Sequence, residues 1–83
     1  MFFYKIKFNT ISEVKMFSET ILEIESEATM RTENRKYVID AKSIMGIFSL
    51  DLSNNLILEM EENEEEFISE IKNMGIEILP LEV

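Results

Sequence analysis

Ala41-Lys42-Ser43-Ile44-Met45-Gly46-Ile47-Phe48-Ser49-Leu50 is the stretch on which the reading of this chain turns. Ser43 stands at the mouth of a short helical segment, where its hydroxyl can accept a hydrogen bond from an unpaired first-turn amide. The residues before it alternate, with Tyr37, Ile39 and Ala41 on one side, as a half-buried strand does. Residues 51–55, Asp-Leu-Ser-Asn-Asn, are rich in turn formers and read as a loop. A strand therefore runs into a serine-capped helix, and a loop follows.

Working toward the N-terminus, residues 33–36 are polar and include Asn34, a turn-tolerant residue. They link the Tyr37 strand to another over residues 29–32, and the pair reads as a hairpin. Val14, Phe17, Ile21 and Ile24 recur at helical spacing, with Ser12 as the expected N-cap and Glu13 at the positive end of the dipole. Residues 2–8 alternate, placing Phe2, Tyr4, Ile6 and Phe8 on one face of a first strand.

Toward the C-terminus, Leu56, Leu58 and Met60 share one face of a fourth strand. The glutamate-rich residues 61–66 open a last helix, whose stripe is Phe67, Ile68, Ile71 and Met74. Gly75 suits its C-cap. Residues 76–83 are expected to be a short tail, because Pro80 argues against an interior strand. The predicted order is βαββαβα: one domain over residues 1–83, an α+β open-faced sandwich with a four-stranded antiparallel sheet and three helices on one face.

Composition narrows the function. The 83 residues carry a formal charge of −9, which disfavours nucleic acid and anionic membrane surfaces and leaves proteins as the expected partners. The simpler account of the acidity is solubility. Cysteine and histidine are both absent, so disulfides, thiolate chemistry and the usual zinc or copper ligands are excluded. Lys5 and Lys7 interrupt the apolar N-terminus too early for a signal-peptide core, and no apolar run reaches the roughly 20 residues of a membrane span. A cytoplasmic, soluble protein without cofactor or metal is expected. The acidic residues 59–66 lack the Asp/Asn/Gly loop pattern of a calcium site.

Residues 40–50 resemble the regulatory-serine segment of HPr, the phosphocarrier of the bacterial sugar phosphotransferase system, at nearly every position in a row. The family pattern there is Val-Asn-(Ala/Gly/Leu)-Lys-Ser-Ile-(Met/Leu)-Gly-(Val/Leu)-Met-Ser-Leu. The resemblance runs over nearly the whole chain and implies the HPr-like fold. HPr's other signature, Gly-Ile-His-Ala-Arg-Pro-Ala, falls on Thr10-Ile11-Ser12-Glu13-Val14-Lys15-Met16. Ile11 matches the family isoleucine and puts Ser12 at the position of the phosphocarrier histidine. Val14 replaces the arginine and Lys15 the proline.

Histidine phosphotransfer needs an imidazole, and the chain has none, so it is expected not to be a catalyst of that reaction. A Ser12 ester would be a poor phosphoryl donor, and plain capping is the simpler role for Ser12. Glu13 could in principle form an acyl phosphate, but the stabilising cation is gone at Val14.

Ser43 has two readings: an unmodified helix cap, or a phosphorylation site like the matching serine of Gram-positive HPr. By resemblance the second implies HPr kinase/phosphorylase and a LacI-type repressor as partners, the arrangement of the histidine-lacking catabolite repression HPr. Ile44 and Met45 match residues of an exposed apolar docking patch in that family. Phe48 and Ser12 are further protein-binding candidates, although Ile47, Phe48 and Leu50 are each expected to face the core. Asp51, in place of the usual glycine, adds negative charge near this helix. The expected function is a protein-binding adaptor in sugar transport or carbon catabolite regulation. The alternative is an interaction module or decoy for HPr partners that works without phosphorylation.

Overall fold

The computed structural model describes residues 1–81. Five strands and three helices follow in the order β1 (Phe2–Lys7), α1 (Ile11–Ile21), β2 (Ala28–Thr32), β3 (Val38–Asp40), α2 (Ile44–Phe48), β4 (Leu56–Met60), α3 (Glu65–Asn73) and β5 (Glu77–Leu81). They form one antiparallel sheet in the order β3-β2-β4-β1-β5. The α+β class, the antiparallel sheet and the three helices follow the sequence reading.

The strand count does not. Residues 76–83 were expected to be a tail, yet Glu77–Leu81 pairs along β1, with Tyr4 opposite Pro80 and Ile6 opposite Ile78. Residues 82 and 83 lie outside the described residues. Pro80 is tolerated because β5 is an edge strand, where a missing N–H costs no interior ladder bond. Ile78 turns into the core, which gives the strand its reason to dock.

The core lies between the sheet and the helices. Ile6, Met30 and Leu58 meet Phe17, Ile47 and Ile71, all fully buried. Phe17 is central. Its ring packs edge-on to Phe8 at 5.4 Å and to Phe67 at 5.8 Å between centroids, a geometry that aromatic quadrupoles favour.

Turn and cap chemistry departs from expectation in two places. In the hairpin it is Arg35, not Asn34, that takes the left-handed conformation, at φ 62°. Asn34 instead accepts hydrogen bonds through Oδ1 from the Thr32 hydroxyl and the Lys36 amide. At α3 the helix starts at Glu65, so residues 61–64 precede it, and Glu64 makes no side-chain cap bond. Its Oε2 accepts from the Ser26 hydroxyl at 2.7 Å. Gly75 ends the helix as read, at φ 86°, and its N–H donates to the Lys72 carbonyl.

Ser18, on the inner face of α1, has a buried hydroxyl without a hydrogen-bond partner. A desolvated, unpaired hydroxyl is a net cost, and alanine is the better helix former. Ser18→Ala is therefore expected to stabilise the protein by about 1 kcal/mol. Urea unfolding should show a raised midpoint at unchanged slope; a lowered midpoint would show that the hydroxyl is usefully paired.

Candidate functional site

The start of α2 is built from the end of β3. The Asp40 carbonyl accepts from the Ser43 amide at 2.9 Å, and Asp40 Oδ1 accepts from the Lys42 amide at 2.9 Å. Lys42 Nζ donates to the Ile24 carbonyl at 2.8 Å, pinning the turn to the segment after α1. The chain thus enters α2 at a fixed angle, with Ser43 extended at φ −97°.

Ser43 is the N-cap, as read. Its Oγ accepts from the Gly46 amide at 3.1 Å. Gly46 is small for a steric reason: a methyl group there would stand 3.2 Å from Ile39 Cβ and 3.2 Å from Ser43 Oγ. Glycine lets α2 lie close on β3 and leaves room for the capping hydroxyl. The C-terminal end is closed by Ser49, whose Oγ donates to the Gly46 carbonyl.

The short helix sorts its apolar residues sharply. Ile47 and Leu50 are buried. Met45 is 77% exposed, and Ile44 and Phe48 are also exposed. Phe48 corrects one expectation, since it does not face the core. With Ile47 inward, the next residue is turned about 100° away, toward solvent. An exposed methionine beside two exposed apolar side chains makes an adaptable contact surface.

Ser12 does not cap α1. Thr10 does: its Oγ1 accepts from the Glu13 amide at 3.1 Å. Glu13 Oε1 in turn accepts at 2.7 Å from the amide of Asn9, the residue before the cap, a variant of the reciprocal capping box. The helix therefore starts at Ile11, and Ser12 is an exposed residue of its first turn. The Thr10-x-x-Glu13 spacing is itself a capping signature and could have been found in the sequence. The missed residue is Ile11, 63% exposed on the same first turn. Nothing in its sequence context marks an isoleucine as outward-facing.

Helices α1 and α2 pack against each other. The first turn of α1 meets the loop behind α2 across a cavity of about 250 Å³ lined by Lys7, Phe8, Asn9, Thr10, Ile11, Leu52 and Ser53. Neither Ser12 nor Ser43 lines it. Lys7 Nζ spans this junction, donating to the Phe8 carbonyl at 3.2 Å and the Leu52 carbonyl at 3.4 Å.

Asp51 lies beyond the C-terminal end of α2, so the helix itself separates it from Ser43. Its carboxylate accepts from the Ser53 hydroxyl and amide and from Asn54 Nδ2. The Ser53 hydroxyl first, then the Ser53 amide, with a smaller contribution from Lys7, hold it below the ordinary aspartate range. The charge that sequence alone placed near the serine is thus bound up in its own loop. The densest acidity lies elsewhere, in a cleft between the end of α1 and the start of α3 that Glu23, Glu61 and Glu66 help to line. Among the described residues, no group of acidic side chains is arranged to hold a metal ion. Among them, too, no helix is long and apolar enough to cross a membrane.

No protein-family model matches the chain, and no curated protein matches it. Among solved structures, the crystal structure of HPr-C-His from Thermoanaerobacter tengcongensis is similar at 28% identity and a TM-score of 0.69, covering 89% of this chain and 90% of that one. An antiparallel open-faced sandwich, a serine-capped α2 and this likeness over most of both chains converge: the chain is HPr-like.

Proposed function

We propose that this protein is a regulatory relative of HPr that docks on other proteins through α2, transfers no phosphate through a histidine, and is switched by phosphorylation of Ser43. The observation that carries the reading is the setting of Ser43: a capping serine with Ile44, Met45 and Phe48 exposed beside it. The sequence contains no histidine to serve as a phosphocarrier, and Ser12, at the matching position, is an exposed hydroxyl with no base supplied by histidine.

A phosphoryl group on Ser43 would replace one neutral acceptor with three strong ones at the mouth of α2. The Gly46 amide that now donates to Oγ remains available to a phosphate oxygen. Modification would therefore leave the fold intact while placing about two negative charges beside the docking residues. A partner with a basic site next to an apolar one would bind the modified form, and a purely apolar partner would release it. By the likeness to HPr, HPr kinase/phosphorylase is the modifying partner and a LacI-type repressor the reader, in sugar transport or carbon catabolite regulation.

Incubation with HPr kinase/phosphorylase and ATP should add one phosphoryl group, read by intact mass, and Ser43→Ala should abolish it. Phosphorylated enzyme I should add none. No modification of the wild-type chain by the kinase would sink the switch. Binding of HPr partners that is unchanged in Ser43→Ala would leave the alternative, a docking module or decoy that works without phosphate.

A further inference from the structure

The helices cover one face of the sheet; the other is open, and the strand register writes out what stands on it. One row runs Val38-Arg31-Ile57-Lys5-Leu79 across all five strands. The next runs Asp40-Thr29-Glu59-Phe3-Leu81. Alternation along each strand puts both rows on the side away from the core. The first row carries the cations and the second the carboxylates.

Three properties set this face apart. It exposes apolar side chains: Leu79 is 59% exposed, and Val38 and Leu81 are exposed as well. Ile57 is only 6% exposed although no helix covers it, being flanked by Arg31 and Lys5, whose stems can lie over it. The charges of the two rows also balance. They are Lys5 and Arg31 against Asp40 and Glu59, in a chain of net charge −9. A second copy meets strong repulsion at the acidic cleft and less here.

We propose that the open sheet face is an isologous contact between two copies of this chain. A two-fold axis running across the strands, between the two rows, lays each cationic row over the partner's carboxylate row. Each strand then stacks on its own counterpart at the roughly 10 Å spacing of packed sheets. Glu59 of one copy enters between Arg31 and Lys5 of the other, over Ile57. Leu79 meets Leu81, and Lys5 lies over the ring of Phe3. The same operation generates the reciprocal set, which closes the assembly at two. Five strands about 4.8 Å apart and some 17 Å long give a projected face of about 400 Å². Counted on both copies this is about 800 Å², below the standard size of specific interfaces, fitting only a weak, reversible dimer.

The test is sedimentation equilibrium of the full chain from about 10 µM to 1 mM, with circular dichroism of every variant as a check on folding. The wild type should pass from monomer to dimer. Glu59→Lys should weaken the dimer about tenfold or more, because it sets a third cation between Arg31 and Lys5. Leu79→Glu, at an exposed site, should act alike. The triple variant Lys5→Glu, Arg31→Glu, Glu59→Lys should restore association by exchanging the two rows. Met45→Lys, on the opposite side of the molecule, should leave it unchanged. A monomer throughout the range, a dimer indifferent to Glu59→Lys and Leu79→Glu, or one abolished by Met45→Lys would each overturn the proposal.

Discussion

Phe17→Ala is expected to remove about 3–5 kcal/mol of stability. Marginal domains hold about 5–15 kcal/mol in all, and a chain of this length sits toward the lower end. The variant should therefore be largely unfolded at room temperature or lose most of its urea midpoint. The reason lies in what the ring touches. Phe17 is fully buried on α1 and is the middle member of the Phe8–Phe17–Phe67 series. Those partners come from the segment after β1 and from α3, so one side chain joins three separate parts of the chain. Its loss leaves a cavity that none of the three can fill without moving. A loss below about 1 kcal/mol, measured by urea unfolding, would show that the site collapses freely and that the rings do not organise the core.

The second large effect is expected at β5. Ile76→Ala combined with Ile78→Ala should cost about 4 kcal/mol or more, since each removes a buried side chain beside β1 and α3. The two sites are close enough to couple, so the sum need not be strictly additive. Leu79→Ala, in the same strand but pointing to solvent, should cost under about 1 kcal/mol in the monomer. The contrast separates burial from strand propensity. Equal effects at Ile78 and Leu79 would mean that β5 is held by its backbone ladder alone.

That strand is also where the sequence was hardest to read. Pro80 is evidence against an interior strand, and it is silent about an edge one. The pattern Ile76, Ile78 against Glu77, Leu79 alternates for only a few residues, with a leucine on the exposed side. By contrast, residues 56–60 mark β4 without ambiguity, because Leu56, Leu58 and Met60 alternate between clear turn residues and glutamates. At α1, Ser12 is as good a capping residue type as Thr10, and only the Thr10-x-x-Glu13 box two residues earlier distinguishes them. At α2, the cap was legible from Ser43 alone, but the outward direction of Phe48 was not: a five-residue helix is too short for periodicity to fix its face. The docking role proposed for Ile44 and Met45 rests on likeness to HPr, and no physical pattern in the sequence would have separated them from core.

The reciprocal cap at the start of α1 reaches further than the helix. Asn9 gives its amide to Glu13 and its side-chain Nδ2 to Glu77 Oε2, 2.7 Å away on β5. One residue thus clasps the mouth of the first helix to the outermost strand. Local opening of β5 removes a restraint from the loop between β1 and α1, and fraying of that loop loosens the strand in turn. The clasp joins the two although 68 positions separate Asn9 from Glu77, so the edge of the sheet and that loop share one restraint.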